Sequence, residues 1–208
     1  MNLALIAIVL GLAVAAAATD DRNATLSRAA KMAAATGVIV ALAIGAHWSA
    51  YAVLVLVALL LSWVGDLALS YSGRRPFVVG LVSFALAHVM YTAAFIARGG
   101  LSGTLLIGTA IVMVVFSAVV LRWLAPHRPA ELAAPLAAYV AIIGVMVAFA
   151  FATLGSDPLV LIPVAALAFT ASDLFVARQR FVTPSPTNRL IGLPLYFAAQ
   201  LMFALSTW

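Results

Sequence analysis

The sequence predicts an all-α protein, a polytopic membrane bundle of about eight transmembrane helices. Of its 208 residues 66% are hydrophobic and only 8% are charged, and the mean hydropathy is +1.21. Soluble domains carry roughly 25% charged residues, so this composition excludes a soluble globular protein. A spanning helix needs about 20 apolar residues, so the chain has room for seven or eight spans. We therefore expect residues 1–208 to form a single integral membrane domain.

Polar or turn-forming residues bound each of the first four apolar runs. The first run ends in an alanine-rich stretch typical of a cleavable signal peptide, but it lacks the basic segment that such a peptide needs, so a spanning helix is favoured. His47 and Trp48 form a short interfacial turn, and Gly73 and Pro76 separate the third run from the fourth. These boundaries predict helices at about residues 2–19, 28–46, 50–70 and 76–97.

The last four runs are delimited in the same way. Gly99 and Gly100 precede the fifth, a loop with two prolines precedes the sixth, and Asp157 is expected to cap the seventh. A polar, proline-containing loop over residues 178–189 precedes the eighth. The predicted helices cover about residues 101–124, 132–154, 159–177 and 190–208.

Lysine and arginine are distributed unevenly between the two ends of these helices. Ten of the 11 lie near the loops after helices one, three, five and seven, and only Arg98 lies near the other loops. Because cytoplasmic loops carry the excess of positive charge, we expect a cell-membrane protein with both termini outside. The net charge of +5 is therefore explained by topology and lipid contact, and no nucleic-acid partner is expected.

Two aspartates occupy matching positions in the apolar helices. Asp66 stands in LSWVGDLALS near the end of helix three, and Asp173 stands in LAFTASDLFVA near the end of helix seven, about half the chain further on. A carboxylate at the centre of a spanning helix costs on the order of 3 kcal/mol, so each aspartate predicts a function. The repeat predicts two parallel four-helix halves. The alternative is that each aspartate pairs with arginines of the adjoining loop.

Further polar side chains follow each aspartate in the next helix. His88 and Tyr91 lie on helix four, and Tyr196 and Gln200 lie on helix eight, each pair on one helix face. From a rise of about 1.5 Å per residue, these groups lie roughly 10 to 22 Å deep from the cytoplasmic boundary. We expect them to line one pocket that opens to the cytoplasmic side. The three histidines lie at different depths and cysteine is absent, so no metal or other cofactor is expected.

Several motifs resemble those of a known family. They are VGDLAL, GLVSFALAHVMY, the late SDL, LPLYFAAQLMFALS, and the proline and tyrosine of APLAAYVAIIGVM. In these motifs the chain resembles the YhhN-type membrane proteins, which are also known as the lysoplasmalogenase family. The resemblance implies about eight spans and an ether hydrolase acting on a lysophospholipid substrate in the bilayer. That enzyme cleaves the vinyl ether bond of lysoplasmalogens to a fatty aldehyde and glycerophosphoethanolamine or glycerophosphocholine.

The positions that match the family's polar pattern suit this chemistry. Vinyl ether hydrolysis needs a proton donor and an anionic group, the division of labour found in two-carboxylate glycosidases. We expect Asp66 and Asp173 to be this pair, in either order, with His88 orienting or activating water. The expected substrate-binding residues are Tyr91, Tyr139, Tyr196, Gln200 and, at the phosphate headgroup, Arg74 and Arg75. Arg178 and Arg180 are also expected at the headgroup; for all four arginines, topology and contact with anionic lipids are the alternative.

Two other classes of membrane protein fit part of the pattern. A secondary, proton-coupled transporter also uses membrane carboxylates and repeats, but it needs a polar path that reaches both faces. A lipid-binding protein would need only the pocket. An intramembrane aspartyl protease is disfavoured, because Trp63 stands where the first glycine of its GxGD motif should be.

Overall fold

The fold is a bundle of α-helices, seen in a computed structural model that describes residues 3–20, 23–155 and 160–208. Seven helices are long and apolar enough to cross a membrane, and the first is a shorter apolar helix of 17 residues. The polytopic all-α fold is thus confirmed. The helices are α1 (Leu3–Thr19), α2 (Ala24–Gly45), α3 (Ala50–Leu69), α4 (Arg74–Arg98), α5 (Gly103–Leu124), α6 (Ala133–Ala152), α7 (Leu161–Ala177) and α8 (Pro186–Leu205).

Helices α2 and α8 each begin four residues before their predicted starts. The Asn23 side chain accepts a hydrogen bond from the Leu26 amide at 3.0 Å, so α2 begins as soon as this cap is in place. Ser185 caps α8 in the same manner, and Pro186 occupies its first turn. The prediction of a loop over residues 178–189 is therefore wrong at both ends. Arg178–Val182 continues α7 as a π-helical turn, and α8 already begins at Pro186.

The predicted starts of the first helix at residue 2 and of the seventh at residue 159, and the expected cap Asp157, lie outside the described residues.

Consecutive helices pack as hairpins, α1 with α2, α3 with α4, α5 with α6 and α7 with α8. Contacts between α2 and α3 recur between α6 and α7, and those between α4 and α6 recur between α8 and α2, as a parallel repeat requires. Helix α5 departs from this pattern, because it packs mainly on α6 and leaves most of its side chains exposed. Superposition of the two halves stays a prediction.

Two glycines allow α3 and α4 to approach closely. A Cβ atom on Gly65 would lie 2.7 Å from the ring of Phe84, and one on Gly80 would lie 2.6 Å from the Leu69 side chain. Small residues at such crossings let helix backbones come together in membranes. Asp66, the residue after Gly65, is buried near this crossing.

Candidate active site

A cavity of about 590 Å³ lies at the end of the bundle where α3 and α7 end and α4 and α8 begin. Asp66 and Asp173 both line it, together with Tyr139 and Tyr196. Its volume falls within the range of about 300–1,000 Å³ that is common for small-molecule sites. All eight helices contribute to its wall, which contains many apolar residues. The two halves of the chain therefore each supply one aspartate to a shared cavity.

The carboxyl group of Asp66 has a hydroxyl donor and a cation beside it. The Tyr196 hydroxyl donates a hydrogen bond to Oδ2 at 2.6 Å, and the Lys31 ammonium lies 3.9 Å from Oδ1. Asp66 is buried, and Lys31 reaches it from α2. A buried carboxylate persists only where it is paired and hydrogen-bonded, and these two partners supply both conditions.

Asp173 has a different set of neighbours. The Tyr139 hydroxyl donates a hydrogen bond to Oδ2 at 3.1 Å, and Nε2 of His88 lies 3.7 Å from the same oxygen. The His88 ring is fully buried, and its centroid is 4.6 Å from that of Phe169. The neighbours of Asp173 are thus a phenol and an imidazole, whereas Asp66 has a phenol and an ammonium group beside it.

Hydrogen bonding assigns the tautomer of His88. Its Nδ1 lies 2.6 Å from the carbonyl oxygen of Phe84, and a carbonyl can only accept, so Nδ1 carries a proton. In the neutral ring Nε2 is then an acceptor. This acceptor faces Asp173 and has no hydrogen-bond partner within the described part of the chain. If the 3.7 Å between Nε2 and Oδ2 of Asp173 shortens slightly, Nε2 can accept a hydrogen bond from the protonated carboxyl of Asp173.

A buried chain of hydrogen bonds supports Tyr196 from behind the cavity. The Tyr91 hydroxyl donates to Oε1 of Gln200, and Nε2 of Gln200 donates to the Tyr196 hydroxyl at 2.9 Å. Tyr91 also stacks on Phe203, with ring centroids 4.2 Å apart. Tyr91, Gln200 and His88 lie outside the cavity lining. The structure therefore gathers the predicted site residues into two groups, one at each aspartate, and the aspartates, Tyr139 and Tyr196 lie at the cavity surface.

Arg74 and Arg75, expected at the headgroup, are not brought to the aspartates. Both lie exposed in the first turn of α4, outside the cavity lining. The alternative was that Asp66 pairs with an arginine of the adjoining loop. Among the described residues, the cation beside Asp66 is Lys31 of α2 instead. Arg178 instead donates to Oδ1 of Asn188 at 2.8 Å.

Other cations line the cavity in place of Arg74 and Arg75. They are Arg28, Lys31, Arg180 and Arg189. From the sequence, Arg28, Lys31 and Arg189 were interpreted only as topology signals, and Arg28 was expected at the very start of helix two. The spacing of Arg28 and Lys31, three residues apart and on one helix face, is the signal that identifies them as site residues.

A second cavity of about 430 Å³ lies at the opposite end of the bundle, where Tyr51, Arg98 and Ser206 contribute to its wall. The two cavities have no lining residue in common. Along α4 and α8 the fully buried rings of Phe95 and Phe203 lie between them, 5.8 Å apart at their centroids. These rings separate the two cavities along α4 and α8. The described residues also contain no group of three His, Cys, Asp or Glu side chains that could hold a metal ion.

Comparison with known proteins identifies the family. Residues 23–207 match the family model described as the YhhN family. The chain belongs to the YhhN family. This confirms the membership expected from the motifs around Asp66 and Asp173.

Curated relatives of this family member are named as lysoplasmalogenases. The chain is 32% identical to lysoplasmalogenase TMEM86A of Bos taurus and 34% identical to that of Homo sapiens, in each case over 73% of this chain and 64% of the relative. It is 32% identical to the lysoplasmalogenase of Mycobacterium tuberculosis, over 70% of this chain and 56% of the relative. The match thus spans less than two thirds of these relatives' length. No solved structure matches the chain.

Proposed function

We propose that this YhhN-family protein is a membrane lysoplasmalogenase, a hydrolase of the vinyl ether bond of lysoplasmalogens. The observation that carries the proposal is the convergence of Asp66 and Asp173 on one cavity among membrane-spanning helices. The names of the relatives, at 32% to 34% identity, support the substrate class. The products are a fatty aldehyde and a glycerophosphodiester such as glycerophosphoethanolamine or glycerophosphocholine.

The two aspartates take different roles because their neighbours differ. Asp173, which faces the acceptor nitrogen of His88, is the proton donor, and Asp66, which lies beside the Lys31 ammonium, is the anion. Pairs of titratable groups in unlike environments divide acid and base work in this way. His88 positions the acid, so its role differs from the water activation that the sequence analysis assigned to it.

The reaction balances with these two carboxyl groups and one water molecule. Asp173 gives its proton to the vinyl carbon distal to the ether oxygen, and the double-bond electrons form the new C–H bond. The resulting oxocarbenium ion is stabilised by the Asp66 carboxylate. Water adds to it and transfers a proton to a carboxylate, which gives a hemiacetal. That carboxyl group then gives the proton to the glycerol oxygen as the C–O bond breaks, and the hemiacetal hydroxyl returns a proton to it, which releases the aldehyde and the glycerophosphodiester.

The substrate is bound by groups at the cavity surface. The hydroxyls of Tyr139 and Tyr196 donate their protons to the two aspartates, so their oxygens accept a hydrogen bond from the free glycerol hydroxyl of the substrate. The apolar wall accommodates the alkenyl chain. Tyr91 and Gln200 act indirectly by fixing Tyr196. The protein lies in the cell membrane with both termini outside, and the cavity opens toward the cytoplasm, because the cation-rich loops lie at its end.

A panel of lysophospholipids tests the proposal. Purified protein in lipid nanodiscs is given a 1-alkenyl lysophospholipid, and the matched 1-acyl and 1-O-alkyl compounds serve as controls for bond specificity. We expect fatty aldehyde from the alkenyl compound and no cleavage of the other two. Absence of aldehyde, or release of fatty acid from the acyl compound at a similar rate, would contradict the proposal. Uptake of the lipid into proteoliposomes without cleavage would instead favour a transporter.

A further inference from the structure

Three arginines line the mouth of the cavity, Arg28, Arg180 and Arg189, and none of them takes part in the mechanism proposed above. Nη2 of Arg28 donates a hydrogen bond to the backbone oxygen of Ser70 at 3.2 Å, and its guanidinium lies 4.0 Å from the centroid of the Tyr71 ring. Its Nε is buried and has no hydrogen-bond partner among the described residues. A guanidinium has five donors in a planar fork and no acceptor, so the unused donor of Arg28 calls for an anion.

Arg189 is fixed at the same corner of the bundle. Its Nε lies 3.3 Å from Oδ2 of Asp20, and the other oxygen of Asp20 accepts a hydrogen bond from the Ser27 hydroxyl at 3.1 Å. Ser27 immediately precedes Arg28 in α2. This relay therefore ties the beginning of α8 to the part of α2 that carries Arg28.

Arg180 completes the basic mouth from the turn that follows α7. Its Nη2 donates to the backbone oxygen of Gly73 at 3.4 Å, and its guanidinium lies 4.9 Å from the centroid of the Phe77 ring. Arg28 and Arg180 thus hold the connection between α3 and α4 from two sides. At the mouth these three arginines face one carboxylate, that of Asp20, so the mouth carries an excess of positive charge.

The depth of Arg28 matches the length of a glycerol unit. Its acceptor, Ser70, follows Asp66 by four residues, which corresponds to about 6 Å along the helix axis. At covalent bond lengths of about 1.5 Å, the glycerol between a vinyl ether and a phosphate spans on the order of 6–8 Å. A lipid with its vinyl ether at Asp66 and Asp173 therefore has its phosphate at the level of Arg28.

We propose that Arg28, with Arg189 beside it, forms the subsite that binds the phosphodiester of a lysophospholipid. This inference rests on the proposed function for the position of the vinyl ether. Arginine suits the role because its planar fork binds phosphate oxygens in a bidentate manner. The subsite replaces the headgroup contact that the sequence analysis assigned to Arg74 and Arg75.

Two substrates that differ only in the phosphate test the subsite. One is a 1-alkenyl lysophosphatidylcholine, and the other is the corresponding 1-alkenyl glycerol, which has no phosphate. For Arg28→Gln we expect KM for the phospholipid to rise on the order of tenfold with kcat little changed, while KM for the alkenyl glycerol stays at its wild-type value. An equal rise in KM for both substrates would overturn the proposal.

Matched variants separate this effect from loss of charge and from misfolding. Arg122→Gln removes an exposed arginine at the same end of the bundle, outside the cavity lining, and should leave both KM values unchanged. Arg28→Lys keeps the charge but not the fork, so it should give a smaller rise in KM for the phospholipid alone. If Arg28→Gln does not fold, Arg28→Lys decides, and a wild-type KM in that variant would count against the subsite.

A binding measurement separates failure of the subsite from failure of the proposed function. A 1-O-alkyl lysophosphatidylcholine has no vinyl ether, and its affinity is measured by calorimetry. Suppose that the protein releases no aldehyde but that Arg28→Gln binds this lipid about tenfold more weakly than the wild type does. That result would support the subsite and refute the proposed lysoplasmalogenase function. Unchanged binding in an active protein would refute the subsite alone. Inorganic phosphate at equal concentration should not displace the lipid, and equal displacement would indicate a general anion site instead.

Discussion

Replacing Gln200 by leucine should destabilise the protein by interrupting the chain that ends at Asp66. Gln200 is buried, accepts a hydrogen bond from Tyr91 and donates one to Tyr196. In the variant the Tyr91 hydroxyl loses its acceptor, whereas the Tyr196 hydroxyl keeps its bond to Asp66. One orphaned buried donor costs about 1–3 kcal/mol, and the second lost bond adds about 1 kcal/mol. We expect a decrease of about 2–4 kcal/mol in the free energy of unfolding.

A double-mutant cycle shows how much of this loss belongs to the contact with Tyr91. Tyr91→Phe removes the hydroxyl that Gln200→Leu leaves without an acceptor, so the two changes together should cost less than the sum of the single changes. We expect a coupling of about 1–2 kcal/mol, within the range for residues in contact. The free energy of unfolding is measured in detergent by circular dichroism as denaturant is added.

A control and a functional measurement complete this prediction. Tyr71→Phe removes an exposed hydroxyl and should change stability by less than about 0.5 kcal/mol. Because Gln200 fixes Tyr196, Gln200→Leu should also lower the rate of aldehyde release. Strict additivity of Tyr91→Phe and Gln200→Leu would refute the hydrogen-bond chain.

Two further predictions concern the helix crossing and the cation beside Asp66. Gly65→Ala would place a Cβ atom 2.7 Å from the ring of Phe84, so overpacking should lower the free energy of unfolding by about 1–3 kcal/mol. Gly11→Ala is the control, because nothing lies within 4 Å of its Cβ position, and it should leave the melting temperature unchanged. Equal melting temperatures for the two variants would contradict the close packing of α3 and α4. Lys31→Met leaves the buried carboxyl of Asp66 without its cation. It should lower the free energy of unfolding by about 3–5 kcal/mol or eliminate aldehyde release, and Lys31→Arg should recover part of the loss. Wild-type stability and activity in Lys31→Met would exclude a role for this pair.

Much of the fold could be predicted from local sequence, because the apolar runs and turn residues are local signals. The paired aspartates were also visible, since a carboxylate in an apolar helix is conspicuous and Asp173 repeats the setting of Asp66. Lys31 was missed because its partner lies on another helix, and spacing along one helix does not reveal contacts between helices. The cap at Asn23 contributed to this error, because it begins α2 before Arg28 and so places both cations inside the helix.

Three features of the site were not predicted from the sequence, each for a different reason. The tautomer of His88 follows from a hydrogen bond to Phe84 one turn earlier in the same helix, but its position beside Asp173 depends on how α4 and α7 meet. The early start of α8 follows from local Ser-Pro chemistry that the sequence analysis interpreted as a loop. The exposure of Arg75 reflects its place in the first turn of α4, at the end of the bundle and outside the cavity lining.

The most direct test of the two-carboxylate mechanism is the rate of aldehyde release by Asp66→Asn and Asp173→Asn in a single turnover. Glu131→Gln, which changes an exposed carboxylate outside the cavity lining, is the matched control. We predict that each asparagine variant folds and loses at least about 10²-fold in rate, the usual contribution of acid–base catalysis, while the control retains the wild-type rate. Wild-type rates in both folded asparagine variants would contradict the mechanism.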